Sequence, residues 1–247
     1  MHTINLRDLL HLYRTKIIIS FAILCVFSQE VKAQGQGYVR RHLEYYDDKP
    51  IHYGILFAMP FTSYNIRHSD AFVPGDSAYL IQSPMKTAFR MGFILNAYLS
   101  ERFDIRTTPS VSLYERQIKY SYPNSPDKID KRESTWLEIP LLIKYKSKRR
   151  VNTRMYMIAG VTLGLETNVK KSTAGTGSAG GRLDTQTSDF TFDCGVGYER
   201  FFEFFKFAPE LRFSTGLKNV LNPSKNSSAV GIGKLTTHTV TLYLNFE

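Results

Sequence analysis

Long stretches of the chain alternate between apolar and polar residues, the pattern of a β-strand whose two faces meet different surroundings. The clearest is 154–166, where apolar residues from Met155 to Leu165 fill every odd position and mostly polar or small residues fill the even ones. Such long alternation predicts strands longer than the roughly five or six residues usual in soluble sheets. The eight predicted strands are 51–62, 89–99, 103–114, 135–146, 154–166, 190–199, 207–215 and 239–246.

Strand length and connection length together favour a membrane barrel. A tilted strand needs about 9–11 residues to cross a bilayer, and a sheet inside hydrocarbon must close because an open edge leaves backbone groups unpaired. Short turns near 100–102, 146–152 and 201–206 alternate with long polar loops at 67–85, 121–133, 171–187 and 218–235. This rhythm predicts an all-β, eight-stranded antiparallel up-and-down transmembrane barrel of the outer-membrane type, with both termini periplasmic.

The polar face of these strands carries charges of both signs. An eight-stranded barrel has an interior just wide enough for side chains to fill, so we expect a closed lumen packed with paired charges. A soluble barrel such as a lipocalin would instead turn its apolar face inward, and the mixed charges favour the membrane form. The predicted lumen charges are Arg90, Arg106, Glu138, Lys144, Arg154, Glu166, Asp193, Glu210 and Arg212.

Three prolines, Pro109, Pro140 and Pro209, lie inside predicted strands. Each removes one donor from the hydrogen-bond ladder, and a closed barrel has no free edge where such a loss is harmless. We therefore expect a local bulge or a strand end at each of the three positions.

The N-terminal segment has the features of a secretory signal peptide. Basic residues precede a mainly apolar run over 17–27, which is too short to cross a bilayer as a helix, and small residues end at Ala33. Cleavage there predicts a signal peptide at 1–33, a periplasmic segment at 34–50 and a barrel at 51–247. It removes four basic and two acidic residues, so the net charge falls from +10 to +8.

Composition narrows the function further. With 43% hydrophobic and 13% aromatic residues, the chain is not disordered. Export separates the basic chain from nucleic acid, so phosphate-bearing lipid head groups, lipopolysaccharide above all, are the expected anions. Only Cys194 would remain in the mature chain, which excludes an intramolecular disulfide. No ligand spacing predicts a metal, and no motif in a fitting context predicts a cofactor or a small-molecule substrate.

Three stretches carry a resemblance to a known family. Residues 137–145 (LEIPLLIKY) and 210–219 (ELRFSTGLKN) resemble strand motifs of small outer-membrane barrels of the Bacteroidota, and 45–54 (YYDDKPIHYG) is similar to the entry segment of the PorT/SprT family. That family belongs to the type IX secretion and gliding machinery. The resemblance implies an outer-membrane component of this machinery, with other secretion components as partners. The candidate docking segment is Tyr45, Tyr46, Asp47, Asp48, Lys49 and Pro50.

A filled lumen leaves no path for a protein substrate, so we expect an accessory or assembly factor and not the conduit. One alternative is a structural anchor barrel with no transport role. Another is a barrel enzyme that modifies lipid A. Its candidate residues are His52 and His238, which we assign to the lumen face of the neighbouring first and last strands. Because no hydroxyl, base and acid form a visible set around them, we expect no enzyme.

Overall fold

The computed structural model describes residues 40–68, 80–121, 128–168, 186–221 and 232–247. Internal contacts divide the chain into two units, residues 1–40 and 41–247. Of the first unit only Arg40 is described, so the predicted signal peptide and residues 34–39 lie outside the described part. In the ranges given above, no helix has the length and apolar character needed to span a membrane.

The second unit is one antiparallel sheet preceded by a single 3-10 turn, Glu44–Tyr46. Its strands are β1 (Ile51–His68), β2 (Leu80–Gln82), β3 (Lys86–Thr87), β4 (Phe89–Tyr98), β5 (Phe103–Thr107), β6 (Ser110–Ser121), β7 (Lys128–Lys146), β8 (Thr153–Asn168), β9 (Ser188–Phe201), β10 (Lys206–Gly216) and β11 (Ile232–Phe246).

The sheet closes on itself because β1 pairs with β11, from Ile55–Phe246 to His68–Ile232. The short strands β2 and β3 share the second position in the wall with β4, because β3 and β4 both pair with β1, and β2 and β4 both pair with β6. Strands β5 and β6 share the third position, because β4 and β7 each pair with both of them. The wall therefore has eight positions. The prediction of an eight-stranded antiparallel barrel is confirmed.

Several strands continue beyond their predicted bounds. β1 runs to His68, β7 begins at Lys128 and β11 begins at Ile232, so parts of three stretches predicted as loops (67–85, 121–133 and 218–235) are strand. The reason is that apolar residues of these stretches, such as Ile81, Ile232 and Leu235, point inward and belong to one buried cluster. The residues around them are polar, which is the composition of a loop.

The prolines behave in three different ways. Pro109 separates β5 from β6, as expected. Pro209 interrupts pairing with β9, because the ladder goes from Phe207–Arg200 to Glu210–Gly197, while pairing with β11 continues. At Pro140 the expectation is wrong, since β7 continues through it in unbroken register with β8 and shifts only at Thr135/Trp136.

Two halves of the wall differ in which face is apolar. We call lower barrel the half that carries the short turns 99–102, 147–152 and 202–205, and upper barrel the half whose interior holds Tyr64, Ile118 and Leu235. In the lower barrel Phe93, Leu141 and Met157 point outward and are exposed, whereas charged residues such as Arg106 are buried inside. In the upper barrel the inside holds a cluster of buried apolar residues, together with buried Arg116.

Candidate functional site

The interior of the barrel is built around three buried carboxylates, each held by at least one cation. Glu199 is the first, and it is ion-paired with Lys144, with Arg154 (2.6 Å) and with Lys206 (3.1 Å). All four side chains are buried. A buried charge is tolerated only when it is paired and hydrogen-bonded, so this cluster ties the four neighbouring strands β7 to β10 together.

Glu210 is the second such carboxylate. Its oxygens pair with Arg212 at 2.6 Å and Arg106 at 3.4 Å, and the Tyr156 hydroxyl donates to it at 2.7 Å. Tyr156 lies over Gly197 of the adjacent strand, where an added Cβ would stand 2.2 Å from the tyrosine ring. The missing side chain at Gly197 therefore makes room for the tyrosine that crosses the lumen.

Glu138 is the third carboxylate and lies higher in the barrel. It pairs with Arg90 at 2.5 Å and accepts a hydrogen bond from Tyr114 at 2.6 Å. The Arg90 guanidinium also donates to the hydroxyls of Tyr114 and Tyr243. The aliphatic side chains of Leu56 and Ile94 form a buried cluster with Tyr243.

The nine predicted lumen charges can now be placed. Eight of them are buried in the interior, and Glu166 is half-buried. Other buried members of the networks were not among the predicted residues, although most continue the inward phase of a predicted strand or lie just beyond its end. These are Asp104, Lys146, Glu199, Lys206 and Glu247.

The candidate docking segment is anchored at the lower end of the barrel by Tyr46. Its hydroxyl donates to Glu247 at 2.8 Å, its ring stacks on His52 at 4.2 Å between centroids, and its carbonyl meets the His52 Nε2 at 2.6 Å. Burial raises the pKa of the Tyr46 phenol, and the Glu247 carboxylate raises that pKa further. The phenol therefore keeps its proton and remains a donor.

Two arginines fix the rest of the segment. Asp47 pairs with Arg154 at 2.9 Å and lies 3.9 Å from Arg149. Arg149 also donates to the carbonyls of His42 and Leu43, and its guanidinium lies 3.7 Å from the centroid of the Phe201 ring. Tyr45, Asp48, Lys49 and Pro50 remain exposed. The segment thus has an anchored part and an exposed part.

Glu247, which follows β11, links the anchored docking segment to the interior; we call Tyr46, Asp47 and Glu247 the cap. It pairs with Arg106 at 2.6 Å and with Lys206 at 2.7 Å. Burial alone would raise the pKa of the Glu247 carboxyl, but Lys206 and Arg106 outweigh it and hold that pKa below its ordinary value. The residues just before β1 and just after β11 therefore meet in one charged cluster.

A small polar cavity of about 30 Å³ lies next to the Glu138–Arg90 pair and is lined, among others, by these two residues, Arg116 and Asp189. This volume holds roughly two water molecules. One Asp189 oxygen accepts from Thr237 at 2.6 Å, and the other has no partner among the described protein atoms. A bridging water is the simplest way to satisfy it.

The two histidines considered for catalysis lie apart. His52 is buried inside at the lower end of β1, whereas His238 lies on the outer face of β11, opposite Ser63. The assignment of His238 to the lumen face is therefore wrong, because buried Thr237 and Thr239 occupy the inward phase there. The described residues hold no group of three or more His, Cys, Asp or Glu suited to a metal ion.

Comparison with known families agrees with this geometry. A family model described as "Outer membrane protein beta-barrel domain" matches residues 27–222, about four fifths of the chain. The chain belongs to this family. The match ends before β11, the strand that closes the barrel against β1. A comparison with curated proteins finds no match.

Solved structures of outer-membrane barrels are similar in fold. The outer membrane protein OprG from Pseudomonas aeruginosa shares 12% identity over 78% of this chain and 94% of its own, with a TM-score of 0.44. Neisserial surface protein A shares 8% identity over 80% of this chain and 98% of its own, with a TM-score of 0.42. The outer membrane protein AlkL, studied in lipid bilayers, shares 13% identity over 87% of this chain and 92% of its own, with a TM-score of 0.40.

Proposed function

We propose that this outer-membrane barrel is an accessory or assembly component of the type IX secretion and gliding machinery, and not its conduit. The absence of a conduit rests on the filled lumen, in which Glu199, Glu210 and Glu138 bind cations from several strands. The resemblance of residues 45–54 to the PorT/SprT entry segment supports a role in the secretion and gliding machinery.

In this proposal the lower end of the barrel is periplasmic. Removal of 1–33 as a signal peptide would leave the segment 34–50 there, next to the short turns. Tyr46 and Asp47 hold the segment on the barrel, while Tyr45, Asp48 and Lys49 face outward. We propose that these three side chains contact other secretion components, because a rigidly held surface costs less conformational entropy on binding than a free tail.

Conductance in planar bilayers tests the absence of a conduit. The purified protein should give no large openings, because the interior side chains are locked by ion pairs. Glu199→Gln offers a sensitised comparison, since it leaves three cations in the lumen without their shared carboxylate. Stable nanosiemens openings of the unmodified protein would contradict the proposal.

Secretion by the native host tests the docking surface. The triple variant Tyr45→Ala, Asp48→Ala, Lys49→Ala should reduce secretion strongly while the barrel still folds, as judged by its heat-modifiable migration on gels. The matched control is Glu101→Ala with Arg102→Ala, two exposed residues of a neighbouring short turn. Normal secretion by the folded triple variant would remove this segment as the docking element.

A structural anchor with no transport role is the second candidate, because a plugged lumen suits it equally well. Crosslinking in cells followed by purification separates the two. Capture of other secretion components supports the first proposal, and capture of peptidoglycan or of nothing supports the anchor. For a non-enzymatic barrel of either kind, deletion should leave the lipid A mass spectrum unchanged.

A further inference from the structure

The outer face of the β1/β11 seam changes character at its upper end. Up to the pair Phe61–Val240 the seam carries apolar residues outward. Above it, three successive outward pairs are polar. We call them the polar ladder: Ser63–His238, Asn65–Thr236 and Arg67–Lys234.

The top pair of the ladder places two positive charges directly opposite each other. Arg67 and Lys234 are exposed, and among the described residues neither has an ion pair or a side-chain hydrogen bond. Like charges at directly opposed positions of an antiparallel pair destabilise the sheet. An anion bound between them would remove that repulsion, and both side chains suit phosphate.

The height of the ladder indicates which anion is available. Arg67 lies six positions after Phe61, about 20 Å along the strand. With a tilt of about 45° this places the charges roughly 14 Å above the last apolar pair. They therefore stand clear of the hydrocarbon, level with the polar part of the leaflet that surrounds the upper barrel.

We propose that the polar ladder binds phosphate groups of lipopolysaccharide in the outer leaflet. Arg67 and Lys234 contact the phosphate, and Asn65, Thr236 and His238 below them offer hydrogen bonds to neighbouring sugar hydroxyls. The proposal rests on the orientation proposed above, with the short turns in the periplasm. It is independent of any role in secretion.

Titration of the purified full-length protein in detergent tests the site. The probes are phosphorylated lipid A, the same lipid A after enzymatic dephosphorylation, and inorganic phosphate. The double variant Arg67→Gln, Lys234→Gln should bind phosphorylated lipid A more than about tenfold more weakly, since it removes both cations that contact the phosphate. Lys148→Gln with Arg150→Gln, two exposed cations of a lower turn, should change the affinity less than twofold.

Other results of these titrations would overturn the proposal. Equal binding of dephosphorylated lipid A, or an unchanged affinity of the Arg67/Lys234 variant, overturns the proposal. Full displacement of lipid A by inorganic phosphate at equal concentration shows a general anion site and overturns the lipid assignment. Labelling of Asn65→Cys in intact cells with a membrane-impermeant maleimide reports orientation separately, so a failure of the proposed orientation is distinguished from a failure of the site.

Discussion

The lower and upper barrel are built from the same strands but place their apolar residues on opposite faces. Along β1 the outward side chains are apolar as far as Phe61 and polar from Ser63. On the inward face, buried charges in the lower barrel give way to the cluster of Ile118, Ile232 and Leu235 above. The surrounding medium explains the reversal, because lipid accepts apolar side chains and water does not.

The two halves must therefore be stabilised by different interactions. The lower interior depends on ion pairs whose partners are costly to leave alone once buried. The upper interior resembles the core of a soluble barrel, in which burial of apolar area is the main favourable term. Substitutions that weaken only the ion pairs or only the apolar packing can show whether the two halves of the barrel meet where the outward residues change from apolar to polar.

The largest effect is expected from Glu199→Gln in the lower interior. The change leaves Lys144, Arg154 and Lys206 buried around a neutral amide, and we expect a loss of about 4 kcal/mol in the free energy of unfolding, or failure to fold. Urea unfolding in micelles measures it. Glu203→Gln, in an exposed turn, is the control, and an equal effect of both variants would contradict a paired interior.

Next is Leu235→Ala in the upper interior. Leu235 is fully buried in the apolar cluster, so the cavity should cost about 3 kcal/mol. Thr236→Ala, one residue along and on the outer face, should cost less than about 0.5 kcal/mol. If both variants unfold at the same urea concentration as the parent, the upper interior is not a packed core.

A charge placed on the outer face should distinguish the two halves directly. Leu141 lies outward in the lower barrel and is 61% exposed, so Leu141→Lys should lose about 2 kcal/mol near the bilayer midplane. Gln117→Lys, outward in the upper barrel, should be within about 0.5 kcal/mol of the parent. The measurement is unfolding in lipid vesicles, and equal effects at the two positions would mean that the halves share one environment.

The smallest effect concerns the cap. Tyr46→Phe removes one hydrogen bond to Glu247 and should cost about 1 kcal/mol in the free energy of unfolding.

The depressed pKa of Glu247 means that the unfolded chain takes up a proton near pH 4.5 that the folded protein does not. Stability from Glu247 is thus complete above pH 4.5 and falls as the pH drops below it. Unfolding of the parent and of Glu247→Gln against pH checks this, and parallel curves would contradict it.

The alternation of apolar and polar residues was sufficient to predict the barrel and which residues point inward in its lower half. The eight predicted strands all lie on observed ones, and Arg90, Arg106 and Arg212 are inside. The upper half was missed for a physical reason. Its outward residues are polar and its inward run is short, so Lys, Ser and Asn dominated the composition and indicated loops where β7 and β11 already begin.

Other features needed coordinates because they depend on contacts distant in sequence. The anchoring of the docking segment joins Tyr46 to Glu247 and His42 to Asn152, and no local pattern predicts such pairs. The position of Pro140 inside a regular ladder also could not be foreseen, since a missing donor is tolerated or not according to the neighbouring strand. The opposition of Arg67 and Lys234 follows only from the closing register of β1 and β11.

The central claim is that the lower barrel faces lipid with its outer surface, and depth measurement by spin labelling tests it most directly. Cys194 lies exposed on the outer face of β9 and can be labelled in protein that carries Cys25→Ser, with Asn65→Cys in a Cys194→Ser background as the upper-barrel counterpart. In lipid vesicles the label on Cys194 should collide readily with oxygen and poorly with a water-soluble nickel chelate, and the label at position 65 should do the reverse. High nickel accessibility at Cys194 would contradict the account.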